Sequence, residues 1–562
     1  MAAACLRRLH RIPHPVLKLA AATHWPLPFP GAKLALVTQS CPSADRVEVQ
    51  LSARCPGFAS NGNFKHRWHH KLGSSVGAVL IGHAAFFLGL SNGSAFAQED
   101  SVSPAAASEH AEGNAPGLQP IEDGSVVSNE HTVKWRIYTD NAREFFQKRQ
   151  LDEAEKLFQA ALLEAKEGFG LRDPHVASAL NNLAEFYRLK KEHVKAEPLY
   201  LEAIEILEES FGSDDIRVGR TVHSLGICYH LQLKLAQAQT CYERALKIEG
   251  RVLGVGHPEY SSTMYSLAKV LSLQGKRKNA ECLIEESIRI LEEAGLGDSL
   301  TCLRRMVSLS RELIKSRRFA EAEIWQRKIL HVLELSEGWD SLVTARAAEL
   351  LSLNLETMEK LKESEELLER CLAVKKKILP EDHLQVAYTL VHLARLTLHR
   401  VVKDRDVNSD VTAYYLAKAK QFSNDSIRIT EGQLNSSRKD QNKINNTSTA
   451  DTDKSAAIIL FQALHVFGLI DIAAKQLLGQ GEQDYNSVQD ALQKCVSLYK
   501  EPHTRRLVKN AAKQDYMICL TSLIDMVQSL FPIPHIPGLQ ELLCEAEQIL
   551  GELEEESTRK KQ

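Results

Sequence analysis

The chain has 562 residues, of which 44% are hydrophobic and 25% charged, and its formal net charge is −3. That is the composition of an ordinary water-soluble protein, long enough for several domains or one long repeat array. The charge is uneven: residues 1–72 hold ten Lys/Arg and two Asp/Glu, a local +8, leaving −3 − 8 = −11 for the remainder. An acidic body argues against general nucleic-acid binding through a basic face.

Residues 1–72 are rich in Ala, Ser, Pro, Arg and His and show no sustained periodicity, the pattern of an organelle transit peptide. Lys65, Arg67 and Lys71 then precede the apolar run 73–90, and Ser94-Ala95-Phe96-Ala97 supplies small residues before Gln98. Charged, apolar and small-residue parts in that order make a secretory-type signal, here over 73–97. Behind a transit peptide, it resembles a bipartite plastid presequence addressed to the thylakoid lumen. A membrane anchor is the alternative. Eighteen residues span about 27 Å, short of a hydrocarbon core of roughly 30 Å, and four glycines and His83 weaken the run further. A mitochondrial presequence is a third reading. Residues 98–130 read as a disordered linker.

From residue 131 the chain repeats itself. Leu183, Leu225, Leu267, Leu309, Leu351 and Leu393 fall at a step of 42, as do Ala154, Ala196, Ala238, Ala280 and Ala322, continued by Ser364. A period of 20–50 residues marks an array of one supersecondary unit. In the clearest unit Leu180, Leu183, Ala184 and Tyr187 form one apolar helical face, and Ala196, Tyr200 and Ala203 form another. The alanines allow close helix approach, and the tyrosine fills the groove beside them.

This arrangement of large apolar, Leu, small and Tyr on helix A, with Ala, aromatic and Ala on helix B, resembles the tetratricopeptide repeat. The 42-residue step and the openings Asp173-Pro174-His175 and His257-Pro258 are similar to the kinesin-light-chain and nephrocystin type. The resemblance implies an all-α fold, a right-handed solenoid of antiparallel helix pairs, with about seven pairs over 131–430. The first pair is degenerate, with Asn141 where leucine is expected, as suits a capping unit. In the seventh, an insertion at Val401–Ala413 delays helix B, whose expected anchor is Ala419. Residues 431–454 read as a disordered polar insertion, and 455–555 as further helical pairs closing the stack.

No catalytic motif is present: no phosphate-binding loop, no dinucleotide fingerprint, no H-E-x-x-H, no G-x-S-x-G. No cofactor or metal is expected. His223 and His230, two helical turns apart, are too distant to chelate alone. Eleven cysteines are scattered without zinc spacing. Those in repeat helices (Cys228, Cys241, Cys282, Cys371) read as small apolar residues, with a redox pair such as Cys228 and Cys241 as the alternative.

What remains is a surface for protein partners. In a helix-pair solenoid the A helices line the concave groove. By phase, the groove residues are Ser178, Asn181, Glu185 and Arg188; Arg220, His223, Ile227 and His230; Ser262, Tyr265, Lys269 and Ser272. The resemblance implies that Asn181 pairs with the backbone of an extended peptide; an amide both donates and accepts. The expected role is a non-catalytic interaction scaffold in the chloroplast, an assembly or stability factor for a thylakoid complex. A cargo adaptor and an organellar RNA-associated factor are the alternatives.

Overall fold

The computed structural model describes residues 130–403, 409–439, 447–478, 486–529 and 538–559. All belong to the second of two units into which the chain divides, 72–562. The presequence and linker readings fall outside the described residues. Every element with described bounds is a helix.

Twelve helices form six A/B pairs: α1 (Glu130–Gln147) with α2 (Leu151–Phe169), α3 (Pro174–Leu189) with α4 (His193–Phe211), α5 (Ile216–Leu231) with α6 (Leu235–Val252), α7 (Pro258–Leu273) with α8 (Arg277–Glu293), α9 (Leu300–Lys315) with α10 (Phe319–Ser336), and α11 (Leu342–Thr357) with α12 (Leu361–Ile378). A seventh pair, α13 (Leu384–Lys403) and α14 (Ser409–Lys439), is longer.

The pairs recur because their punctuation recurs. Asp173, Asp215, His257, Ser299, Ser341 and His383, again at a step of 42, each accept a backbone N–H from the first turn of an A helix, at 2.9 to 3.2 Å. Each A-to-B turn needs one left-handed residue. Arg149, Lys191, Leu233, Arg317 and Glu359 all take φ near 60°, and glycine fills the equivalent place only at Gly275.

The in-phase residues are the core. Ala154, Ala196, Ala238, Ala280, Ala322 and Ser364 are fully buried, and the six leucines are at most 6% exposed. Close approach is strict at Gly226, where a Cβ would lie 2.8 Å from the Tyr242 ring. Each B helix also packs on the next A helix, and A helices of neighbouring repeats touch at α3–α5, α5–α7 and α11–α13.

Among the described residues two large hydrophobic cores result, with a small leucine cluster, Leu361, Leu368, Leu393 and Leu396, at the junction of α12 and α13. The first runs from Trp135 to Val374, the second from Val386 to Leu553. The second is built on α13, α14, α15 (Thr447–Leu478), α16 (Asn486–Lys500), α18 (Lys513–Ser529) and α19 (Leu539–Arg559); a short α17 (Pro502–Leu507) and a π turn, 508–512, link α16 to α18. Helix α15 contains a stretch long and apolar enough to cross a membrane, but 83% of that window is packed inside this core.

Three segments differ from the sequence reading. The added residues of the seventh pair mostly lengthen helices, since α13 reaches Lys403 and α14 starts at Ser409; Ala419 is the buried anchor expected. The polar stretch 431–454 is largely helical: α14 continues to Lys439, held by buried Leu434, and α15 begins at Thr447, with buried Asp453 set 3.5 Å from His503. Helices beyond α14 do not continue the pairing, because α15 packs on α13, α14, α16, α17 and α18 together, and on the π turn.

Candidate interaction face

The A-helix face opens unevenly. On α3, Ser178 and Glu185 are interior, 4% and 2% exposed, rather than groove-lining. The cause is Tyr200 of α4, whose hydroxyl donates to Glu185 Oε1 at 2.5 Å, while Arg188 Nε and Nη2 donate to Oε2 at 3.0 and 2.6 Å. The carboxylate is thereby held inside by three donors, one from α4 and two from its own helix. Asn181 is half-buried, and its Oδ1, like that of neighbouring Asn182, is closed off without a hydrogen bond.

On α5, Arg220 is exposed and grips Glu259 of α7 through Nε and Nη2, at 3.1 and 2.9 Å. His223 stands edge-on to Tyr242, ring centres 5.3 Å apart, with Nδ1 2.7 Å from the Thr263 hydroxyl oxygen. Thr263 in turn donates to Glu249 Oε1 at 2.9 Å, so the His223 N–H is the donor to Thr263. Burial, reinforced by Arg188, pushes His223 down to about 4, so the ring is neutral near pH 7. Burial and Lys269 lower His230 as well. Ile227 and Ser272 are partly covered.

The face is most open on α7 and α9. Ser262 and Lys269 are exposed, and half-buried Tyr265 carries the Lys269 ammonium and the Arg305 guanidinium each 5.4 Å from its ring centre. One repeat on, exposed Arg304 and Arg311 occupy the phases of Ser262 and Lys269, and among the described residues neither has a carboxylate partner. Sequence phase thus locates Arg220, Tyr265 and Lys269 on the accessible face, and misplaces Ser178 and Glu185.

Phase alone also missed charges inside the frame. Leu207, Glu249, Leu291, Leu333 and Lys375 occupy one repeat position, and all are at most 8% exposed. Ala179, Thr221, Thr263, Arg305, Ala347 and Thr389 occupy another, where fully buried Arg305 donates to Ser261 Oγ, Ser262 Oγ and the Ser287 carbonyl. A charge at a position held by leucine or alanine elsewhere is the signal that could have found them. Between the two cores, Lys375 pairs with Glu349 at 2.6 Å and Arg395 with Glu356, all buried. Burial pushes Glu356 upward, but Arg395 and His399 outweigh it and hold the carboxyl down to about 2.

Among the described residues, three side chains offer metal-ligand atoms within 4.8 Å of one another: His131 of α1 with Glu164 and Glu167 of α2. His131 Nδ1 already lies 2.9 Å from Glu164 Oε2, a hydrogen-bonding contact between partly covered side chains. The cysteines divide: Cys228 and Cys371 are buried as small apolar residues and Cys241 half-buried, whereas Cys282 is exposed.

A tetratricopeptide repeat family model matches residues 137–209, 175–248 and 217–293, and a second matches 344–385. Among solved structures, kinesin-light-chain-like nearly identical TPR-like repeats from Podosopora anserina are 18% identical, covering 37% of this chain and 99% of that one at a TM-score of 0.34. BtubC (BKLC) from P. vanneervenii is 16% identical, covering 46% and 94% at 0.34. The apo form of RapI is 12% identical, covering 53% and 98% at 0.35. No curated protein sequence matches. The chain carries tetratricopeptide repeats, matched over residues 137–293 and 344–385.

Proposed function

We propose that the chain is a non-catalytic scaffold that holds an extended, acidic segment of a partner protein along α5, α7 and α9. Tetratricopeptide arrays are in general protein-interaction scaffolds, and the finer statement rests on one observation. The inner residues of α3 are sealed by Tyr200 and Arg188, whereas Lys269, Arg304 and Arg311 stand exposed on adjacent A helices. Cations held apart from carboxylates in an acidic chain attract a carboxylate-bearing ligand. The presequence supports a plastid address at or within the thylakoid, where such a scaffold assembles or stabilises a membrane complex.

The test is co-purification from solubilised organelles with the wild-type chain and with Arg304→Glu/Arg311→Glu. The reading expects a protein lost from the double variant while helical content is unchanged, and a mature N-terminus near Gln98. Equal recovery by both chains contradicts the binding face, and an end between residues 40 and 72 contradicts the lumenal address. The same exposed cations favour one second reading, single-stranded RNA. Nuclease treatment separates the two, since a protein partner survives it.

A further inference from the structure

The second core holds a feature unrelated to the interaction face. Cys495 lies on α16 and Cys519 on α18, both wholly buried. The two helices are locked together at this level. The Tyr516 hydroxyl, one turn before Cys519, donates to the Cys495 carbonyl at 3.0 Å. Tyr499, one turn after Cys495, stacks on Tyr516 with ring centres 5.6 Å apart and planes 20° from parallel, and Phe461 of α15 meets Tyr516 edge-on at 5.1 Å. In the layer so fixed, the Cys519 thiol faces the Cys495 thiol as its side-chain neighbour. Of the pair that the sequence reading held as an alternative, Cys228 and Cys241, Cys228 donates to the His193 carbonyl at 3.6 Å and accepts from Gln232.

We propose that Cys495 and Cys519 are a disulfide-forming pair that staples α16 to α18 across the α17 and π-turn link. Two S–H bonds break and one S–S bond forms. The two electrons and two protons pass to a disulfide donor, oxidised glutathione or a protein disulfide, which leaves as two thiols. Exchange proceeds through a mixed disulfide on one cysteine, which the second thiolate then displaces. Both sulfurs are sealed in the folded chain, and the neighbouring Cys495 thiol, together with burial, raises Cys519 well above the usual thiol range. The bond therefore closes as α16 and α18 dock during folding and, once closed, is shielded from reductant. A cross-link here restricts the unfolded chain between the two helices.

The test refolds the full chain, unfolded and reduced in urea, by dilution into glutathione buffers of graded oxidised-to-reduced ratio. Samples are acid-quenched, alkylated and digested with trypsin plus a glutamyl endopeptidase, whose cut at Glu541 separates Cys519 from exposed Cys544. The expected result is one linked Cys495–Cys519 peptide, lighter by two hydrogen atoms than its parts, prevailing at ratios that leave Cys282 and Cys544 free. The oxidised chain should melt several degrees above the reduced chain, a difference that Cys519→Ala abolishes while keeping native helical content. Alkylated Cys495 and Cys519 after refolding in excess oxidised glutathione overturn the proposal. So does an equal yield of bridges to other cysteines, or a linked chain that melts no higher than the reduced one.

Discussion

The interface between the third and fourth repeats and that between the sixth and seventh share one frame and carry opposite charges. Glu249 and Lys375 stand at the same repeat position, which is leucine at 207, 291 and 333. Each meets the threonine of the following A helix, Thr263 or Thr389. They differ in what else surrounds them. Lys375 donates to Glu349 Oε1 at 2.6 Å, to Thr389 Oγ1 at 3.1 Å and to the Gln385 carbonyl at 3.3 Å, and Thr389 also donates to Glu349. Glu249 has Thr263 on Oε1 and no partner on buried Oε2. The frame tolerates a charge of either sign at a leucine position, but only one of the two sites is satisfied, and the sites should fail differently.

The largest effect is expected at the satisfied site. Glu349→Ala leaves the Lys375 ammonium buried without its counter-ion, a loss of about 3–5 kcal/mol in urea unfolding. Adding Lys375→Leu restores the leucine found elsewhere in the array and should recover most of it. A double variant as unstable as the single one breaks the comparison.

The unsatisfied site should show itself through pH. Burial raises Glu249 to about 7, above the ordinary carboxyl value near 4.5 that it has in the unfolded chain. Its contribution is therefore fully present below pH 4.5 and lost as pH rises through 7, about 3 kcal/mol in all. Glu249→Gln keeps an acceptor for Thr263 and removes the titration. It should flatten the fall in stability between pH 5 and 8, measured by urea midpoints at each pH. An unchanged slope contradicts the assignment.

A third buried charge sharpens the contrast. Arg305 stands where Ala179 and Ala347 stand in other repeats and binds three oxygens, two of them on α7. Arg305→Ala should cost about 1–3 kcal/mol, the price of leaving buried oxygens unpaired. The smallest effect belongs to the surface: Arg304→Glu/Arg311→Glu should leave stability within about 0.5 kcal/mol while altering binding.

The repeat frame was legible because packing dictates it. Alanines at 196, 238 and 280 are small for a reason that recurs every 42 residues, and all three are fully buried. The capping residues at 173 and 257 are local and equally readable. The interaction face was legible only in part, because phase says which way a Cα–Cβ bond points and not what reaches over it. Glu185 shares the phase of Lys269, yet Tyr200 draws it inside. The second core lacks the repeat, so nothing in the spacing of 455–555 revealed that α15 would pack on five helices at once or that Cys495 would neighbour Cys519.

The central claim, that a protein partner lies along α5, α7 and α9, is most directly tested by placing a photo-crosslinking residue at position 269 of the full chain, and separately at Lys247, an exposed residue of helix B. Irradiated in organelle extract, the chain labelled at 269 should form one discrete adduct that survives nuclease and is lost on Arg304→Glu/Arg311→Glu. The same adduct formed from 247 and not from 269 would contradict the account.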